Sequence, residues 1–99
     1  MLVHSVYFWL KEDLGPEEVE AFRKGLAELG KIASTDAVYV GQPAPTPERP
    51  VIDHSYDYGL TVLLKGMAEH DAYQDDPIHQ HFVETFKSYW TRVQIYDAA

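Results

Sequence analysis

The sequence predicts an α+β fold of the split βαβ kind: a four-stranded antiparallel sheet with both helices on one face. Three observations carry this. Several short stretches alternate with a period of two, two others space apolar residues at helical intervals, and together they run β-α-β-β-α-β. The 99 residues suffice for one domain, residues 1–99, and are too few for a second core.

Leu2 to Leu10 alternate, with Leu2, His4, Val6, Phe8 and Leu10 on one side and Val3, Ser5, Tyr7 and Trp9 on the other. This is a strand with both sides largely apolar. Pro16 then opens a helix, with Glu17 and Glu18 at the positive end of its dipole. Val19, Phe22, Leu26 and Leu29 form its apolar stripe, and Gly30 is its expected stop. Gly25 within that stripe either marks close packing or is simply tolerated.

Ala37 to Gly41 is a short second strand. Pro43, Pro45, Pro47 and Pro50 make residues 42–55 a surface loop, long enough to suggest a lid or an oligomer contact. Tyr56 to Lys65 is the third strand. Met67 to Gln74 is a short helix that Asp75-Asp76-Pro77 interrupts. Ile78, Phe82, Phe86 and Trp90 recur every four residues, so Pro77 begins a second helical piece, and Thr91 to Asp97 is the fourth strand.

Composition removes whole classes of function. A net charge of −8 argues against nucleic acid and against anionic membrane surfaces. Cys is absent, which excludes disulfides, thiolate metal sites and a thiol nucleophile. The expectation is a cytoplasmic protein with no transmembrane stretch and no basic leader. A split βαβ unit leaves one sheet face bare, and Tyr7, Trp9 and Leu63 are available to cover it with aromatic and apolar surface. A homodimer packed sheet to sheet is the expected remedy.

Among the five histidines, His4 stands on an otherwise apolar strand side. It is either a core histidine with a hydrogen-bond partner or a site residue. Tyr73 and His79 flank the break at Pro77. In one straight helix six residues turn through about 600°, which would separate them. The break permits both to enter one cleft, where a phenol donor and an imidazole base suit proton abstraction beside a carbonyl. The plainer reading is a core-edge Tyr and a helix-start His. Tyr58 shares a side with Leu60 and Val62, so its hydroxyl is expected in the same cleft. His79 and His81 diverge by about 200° and cannot chelate one ion from one helix. His81 is expected in solvent, Asp76 as a helix cap, and His54 and His70 receive no role. Asp75 and Asp76 are weak grounds for a hard-cation site. No phosphate-binding glycine loop or zinc-hydrolase motif occurs, so no cofactor and no metal are expected.

These residues resemble the stress-responsive dimeric α/β-barrel family, Dabb. The likeness rests on Val3-His4-Ser5-Val6-Tyr7-Phe8, on Tyr73 through His79, and on Tyr89 through Asp97. It implies a ferredoxin-like fold whose two sheets face each other as a dimeric α/β barrel. The enzymatic members it resembles include a plant polyketide cyclase working by aldol condensation. By that likeness Tyr73 and His79 would be catalytic, and His4 and Tyr58 would bind substrate. Tyr58 stands where the family pattern has His, as does Asp76 before the proline.

The functional expectation is a cofactor-free cyclase or lyase acting on a small hydrophobic or aromatic carbonyl compound. The alternatives are a non-catalytic stress-related or small-molecule-binding oligomer, and a quinol-type monooxygenase.

Overall fold

The computed structural model describes every residue from Met1 to Ala99. The elements are β1 (Leu2–Leu10), α1 (Pro16–Glu28), β2 (Ala37–Gly41), β3 (Tyr58–Leu64), α2 (Met67–Asp75), α3 (Pro77–Phe86) and β4 (Trp90–Ala98). A 3-10 turn over Leu29–Lys31 follows α1, so the helix tightens through Gly30 rather than stopping at it. The sheet runs β2-β3-β1-β4, every neighbour antiparallel. Sheet and helices form two layers, and the molecule is only 17 Å through its shortest axis.

Register explains which side chains are buried. Leu2, His4, Val6 and Phe8 lie beside Leu64, Val62, Leu60 and Tyr58. All eight are buried under the helices, where Phe22, Leu26, Leu29, Tyr73, Phe82 and Phe86 meet them. Each such aliphatic or Phe side chain contributes about 1.5–3 kcal/mol on burial. Gly25 is where α1 comes down on α3: a Cβ there would lie 2.4 Å from the Phe86 ring.

Two boundaries differ from expectation. β3 begins at Tyr58, because Asp57 turns its side chain to the ladder and accepts from the Leu10 amide at 2.7 Å. Trp90 starts β4 rather than extending the stripe of α3. That helix ends at Phe86, and the Lys11 amide already pairs with the Tyr89 carbonyl at 3.0 Å. The proline-rich segment carries no helix or strand and is pinned at its end by Trp9 Nε1 donating to Ser55 Oγ at 3.0 Å.

The helices do not roof the whole sheet. On β4, Val93 and Ile95 share the covered side with Phe8 and Val6, yet remain 39% and 45% exposed. No helix is long and apolar enough to cross a membrane.

Candidate functional site

One residue joins α2 to α3. Asp76 closes the first helix and caps the second, its Oδ1 accepting from the Ile78 amide at 2.8 Å. Its ψ of 137° is extended, as the residue before a proline prefers. The chain therefore changes direction between Tyr73, in the last turn of α2, and His79, in the first turn of α3. Their rings meet edge to face with centroids 4.9 Å apart.

Both side chains line a cavity of about 200 Å³ between sheet and helices. His4 and Val6 of β1, Phe82 of α3 and Trp90 of β4 also line it. Val93 and Ile95 lie at the unroofed side. His4 is the one polar residue among the buried set. Its ring lies 5.7 Å from that of Tyr73 and 5.4 Å from that of His70. The partner expected for a buried imidazole is Asp97, whose Oδ1 lies 2.5 Å from His4 Nδ1. The β1–β4 register sets His4 directly opposite Asp97.

Burial pushes the Tyr73 phenol far above its ordinary pKa, so its hydroxyl stays protonated as a donor. Burial also pulls the His79 imidazole below its ordinary value, and the nearby His4 adds to this. The Gln74 main chain and Asp76 oppose the shift. The result is a neutral base beside a neutral hydroxyl donor in an apolar hollow. Such a pair can remove an acidic proton and donate to the oxygen on which charge develops.

The structure thus brings His4, Tyr73 and His79 together. It does not bring Tyr58 with them. Tyr58 is buried against Phe22, at a ring distance of 5.8 Å, and borders a separate hollow beside Trp9, Leu10 and Asp57. Its alternating position puts it on the correct face of the sheet, but four residue pairs further along the ladder than His4 opposite Val62. His81 is exposed, and Asp75 is exposed outside the cluster. Two neighbours of the site were missed from sequence. His70 lies three residues before Tyr73, one helical turn away on the same face, and that spacing was readable. Asp97 could be placed beside His4 only through strand pairing.

The family described as the stress responsive A/B barrel domain, Dabb, matches residues 2–99. The chain belongs to it. Solved structures agree on the fold of this Dabb chain. A dimeric ferredoxin-like protein of unknown function from Thermobifida fusca has a TM-score of 0.80 at 20% identity, over 99% of this chain and 89% of its own. The hydroxynitrile lyase of Passiflora edulis has a TM-score of 0.82 at 14% identity, over 98% and 90%. A putative antibiotic biosynthesis monooxygenase from Nitrosomonas europaea has a TM-score of 0.72 at 14% identity, over 100% and 97%. At these identities the likeness concerns the fold. No curated protein matches the chain.

Proposed function

We propose that this Dabb protein is a homodimeric lyase or cyclase for a small, apolar carbonyl compound. The observation that carries the reading is the Tyr73–His79 pair, 4.9 Å apart inside an apolar cavity. His79 takes a proton from carbon next to a carbonyl. Tyr73 donates to the carbonyl oxygen as it becomes an enolate. The enolate carbon then attacks a second carbonyl, and the protonated imidazole returns its proton to the new alkoxide. His4, held by Asp97, positions substrate. A cavity of about 200 Å³ is smaller than most small-molecule sites, so the substrate is small or extends past Val93 and Ile95.

The open sheet face supports the dimer. Val3, Tyr7, Trp9, Tyr39, Leu63 and Tyr96 point that way, and Arg92 is its single charged strand residue in a chain of net charge −8. Arg92 lies over the Trp9 ring at 4.1 Å. Closure of two such sheets into a barrel would cover this surface. Tyr58 borders the neighbouring hollow instead of this cavity and takes no part in the proposed reaction.

The test is a panel of activated carbonyl substrates: 1,3-diketones, linear β-polyketo acids and, given the fold shared with a hydroxynitrile lyase, aromatic cyanohydrins. Turnover that disappears in His79→Ala and Tyr73→Phe, with the fold retained, supports the assignment. Turnover unchanged by His79→Ala removes it. The runner-up is an oligomer that binds small molecules without turning them over, favoured by the same aromatic face. Oxygen uptake with quinols would point instead to monooxygenase chemistry.

A further inference from the structure

We propose that His4, His70 and Asp97 form a binding site for a borderline divalent metal ion of the Zn²⁺ type. These residues come from β1, α2 and β4, and their ligand atoms all lie within 4.8 Å of one another. Two imidazoles and one carboxylate are the donor set that favours Zn²⁺, Co²⁺ or Ni²⁺ over the hard ions Mg²⁺ and Ca²⁺, which take oxygen ligands.

Several features fit an ion better than a hydrogen-bonded pair alone. His4 is buried, His70 half-buried and Asp97 exposed, so the set grades from the interior to solvent and leaves a way in. The side chain of Asp71 reaches His70, Oδ1 to Nδ1 at 3.1 Å. That leaves the distal Nε2 to an ion, in the carboxylate–imidazole–metal arrangement that orients many metal-binding histidines. His4 Nδ1 and Asp97 Oδ1 face each other directly, 2.5 Å apart.

Coordination at roughly 2.0–2.2 Å from each donor sets the donors about 3.3 Å apart. The His4–Asp97 pair opens from 2.5 Å, and separations of up to 4.8 Å within the set close. The ion replaces the proton shared by His4 and Asp97, which passes to solvent, while His70 moves inward from the helix surface. Three protein ligands leave a coordination position for water or for an oxygen of a bound molecule. His79 and Tyr73 are outside the donor set. The site shares His4 and Asp97 with the substrate-positioning role proposed above, but not the Tyr73–His79 pair, so metal binding and proton transfer are tested separately.

The experiment is an equilibrium titration of the untagged full-length protein with Co²⁺, followed by competition with Zn²⁺ and with Mg²⁺. The expected result is a saturable visible ligand-field band for one ion per chain, lost on adding Zn²⁺ and insensitive to Mg²⁺. His70→Ala and Asp97→Asn should each weaken Co²⁺ binding by about 100-fold or more, since even loss of an outer partner costs about 10–100-fold. Neither residue is buried, so both variants should keep the wild-type circular dichroism. His81→Ala, on the solvent side of α3, should bind as wild type does. An absent band, binding that survives in both variants, or binding lost in His81→Ala overturns the site. None of these outcomes depends on turnover, so failure here leaves the Tyr73–His79 reading intact.

Discussion

The two faces of β1 are built from the same nine residues and meet opposite fates. Leu2, His4, Val6 and Phe8 are buried beneath helices, while Val3, Ser5, Tyr7 and Trp9 stay partly open. Each face keeps one strand residue that carries or can carry positive charge. On the covered face His4 is locked by Asp97 and surrounded by ring edges. On the open face Arg92 lies over the Trp9 ring. The covered face has a defined cavity with a neutral base and a neutral phenol. The open face has aromatic area and a hollow bordered by Tyr7, Trp9, Asp53, Tyr56, Arg92 and Tyr96. In the proposed reading one face serves chemistry and the other association. The contrast shows how a period of two lets one strand serve both.

The sharpest break of that contrast is His79→Ala. Loss of a general base should lower turnover by about 10²–10⁴-fold. Sedimentation should show the assembly unchanged. The converse break is a charge on the open face. Trp9→Glu combined with Tyr96→Glu places four carboxylates at a two-fold interface and also removes the ring beneath Arg92. Sedimentation equilibrium should then show monomer at micromolar concentration, while wild type is dimeric. A monomeric wild type would remove the need to cover that face.

Smaller effects test how the covered layer is held. Gly25→Ala forces a methyl into the Phe86 ring at 2.4 Å, and overpacking of this kind costs about 1–3 kcal/mol. Urea unfolding should read it, with little change in association. Asp76→Ala removes the α3 cap, at a cost of about 1 kcal/mol. It should also loosen the bend and lower turnover more than its stability cost alone implies.

Titration gives the mildest signal. The folded pKa of His79 is lowered, so below the ordinary imidazole value of about 6.5 the unfolded chain binds more protons. Its effect on stability is then favourable above that value and is lost as pH falls towards the folded pKa. The acid limb of turnover should lie below about 6.5 for the same reason. The folded pKa of Tyr73 is raised, so its effect reverses direction. Above about 10 the unfolded chain loses the phenolic proton first, and stability falls as pH rises. Chemical unfolding across pH in wild type and in Tyr73→Phe separates the two.

The sequence by itself determined the elements and the bend. Alternation, apolar spacing and prolines at 16 and 77 act over a few residues, so they are written locally and were legible. The pairing of Tyr73 with His79 was within reach for the same reason, because six residues and one proline contain it. What only the tertiary structure decided is everything carried by strand register and helix coverage. Asp97 meets His4 across 93 positions of sequence. Tyr58 shares the correct face yet falls beside a different hollow, because its place along the ladder, not its side, sets its neighbours. The exposure of Val93 and Ile95 follows from where the helices end over the sheet. Periodicity specifies a face. Position on that face depends on long-range pairing, for which a single sequence holds no local signal.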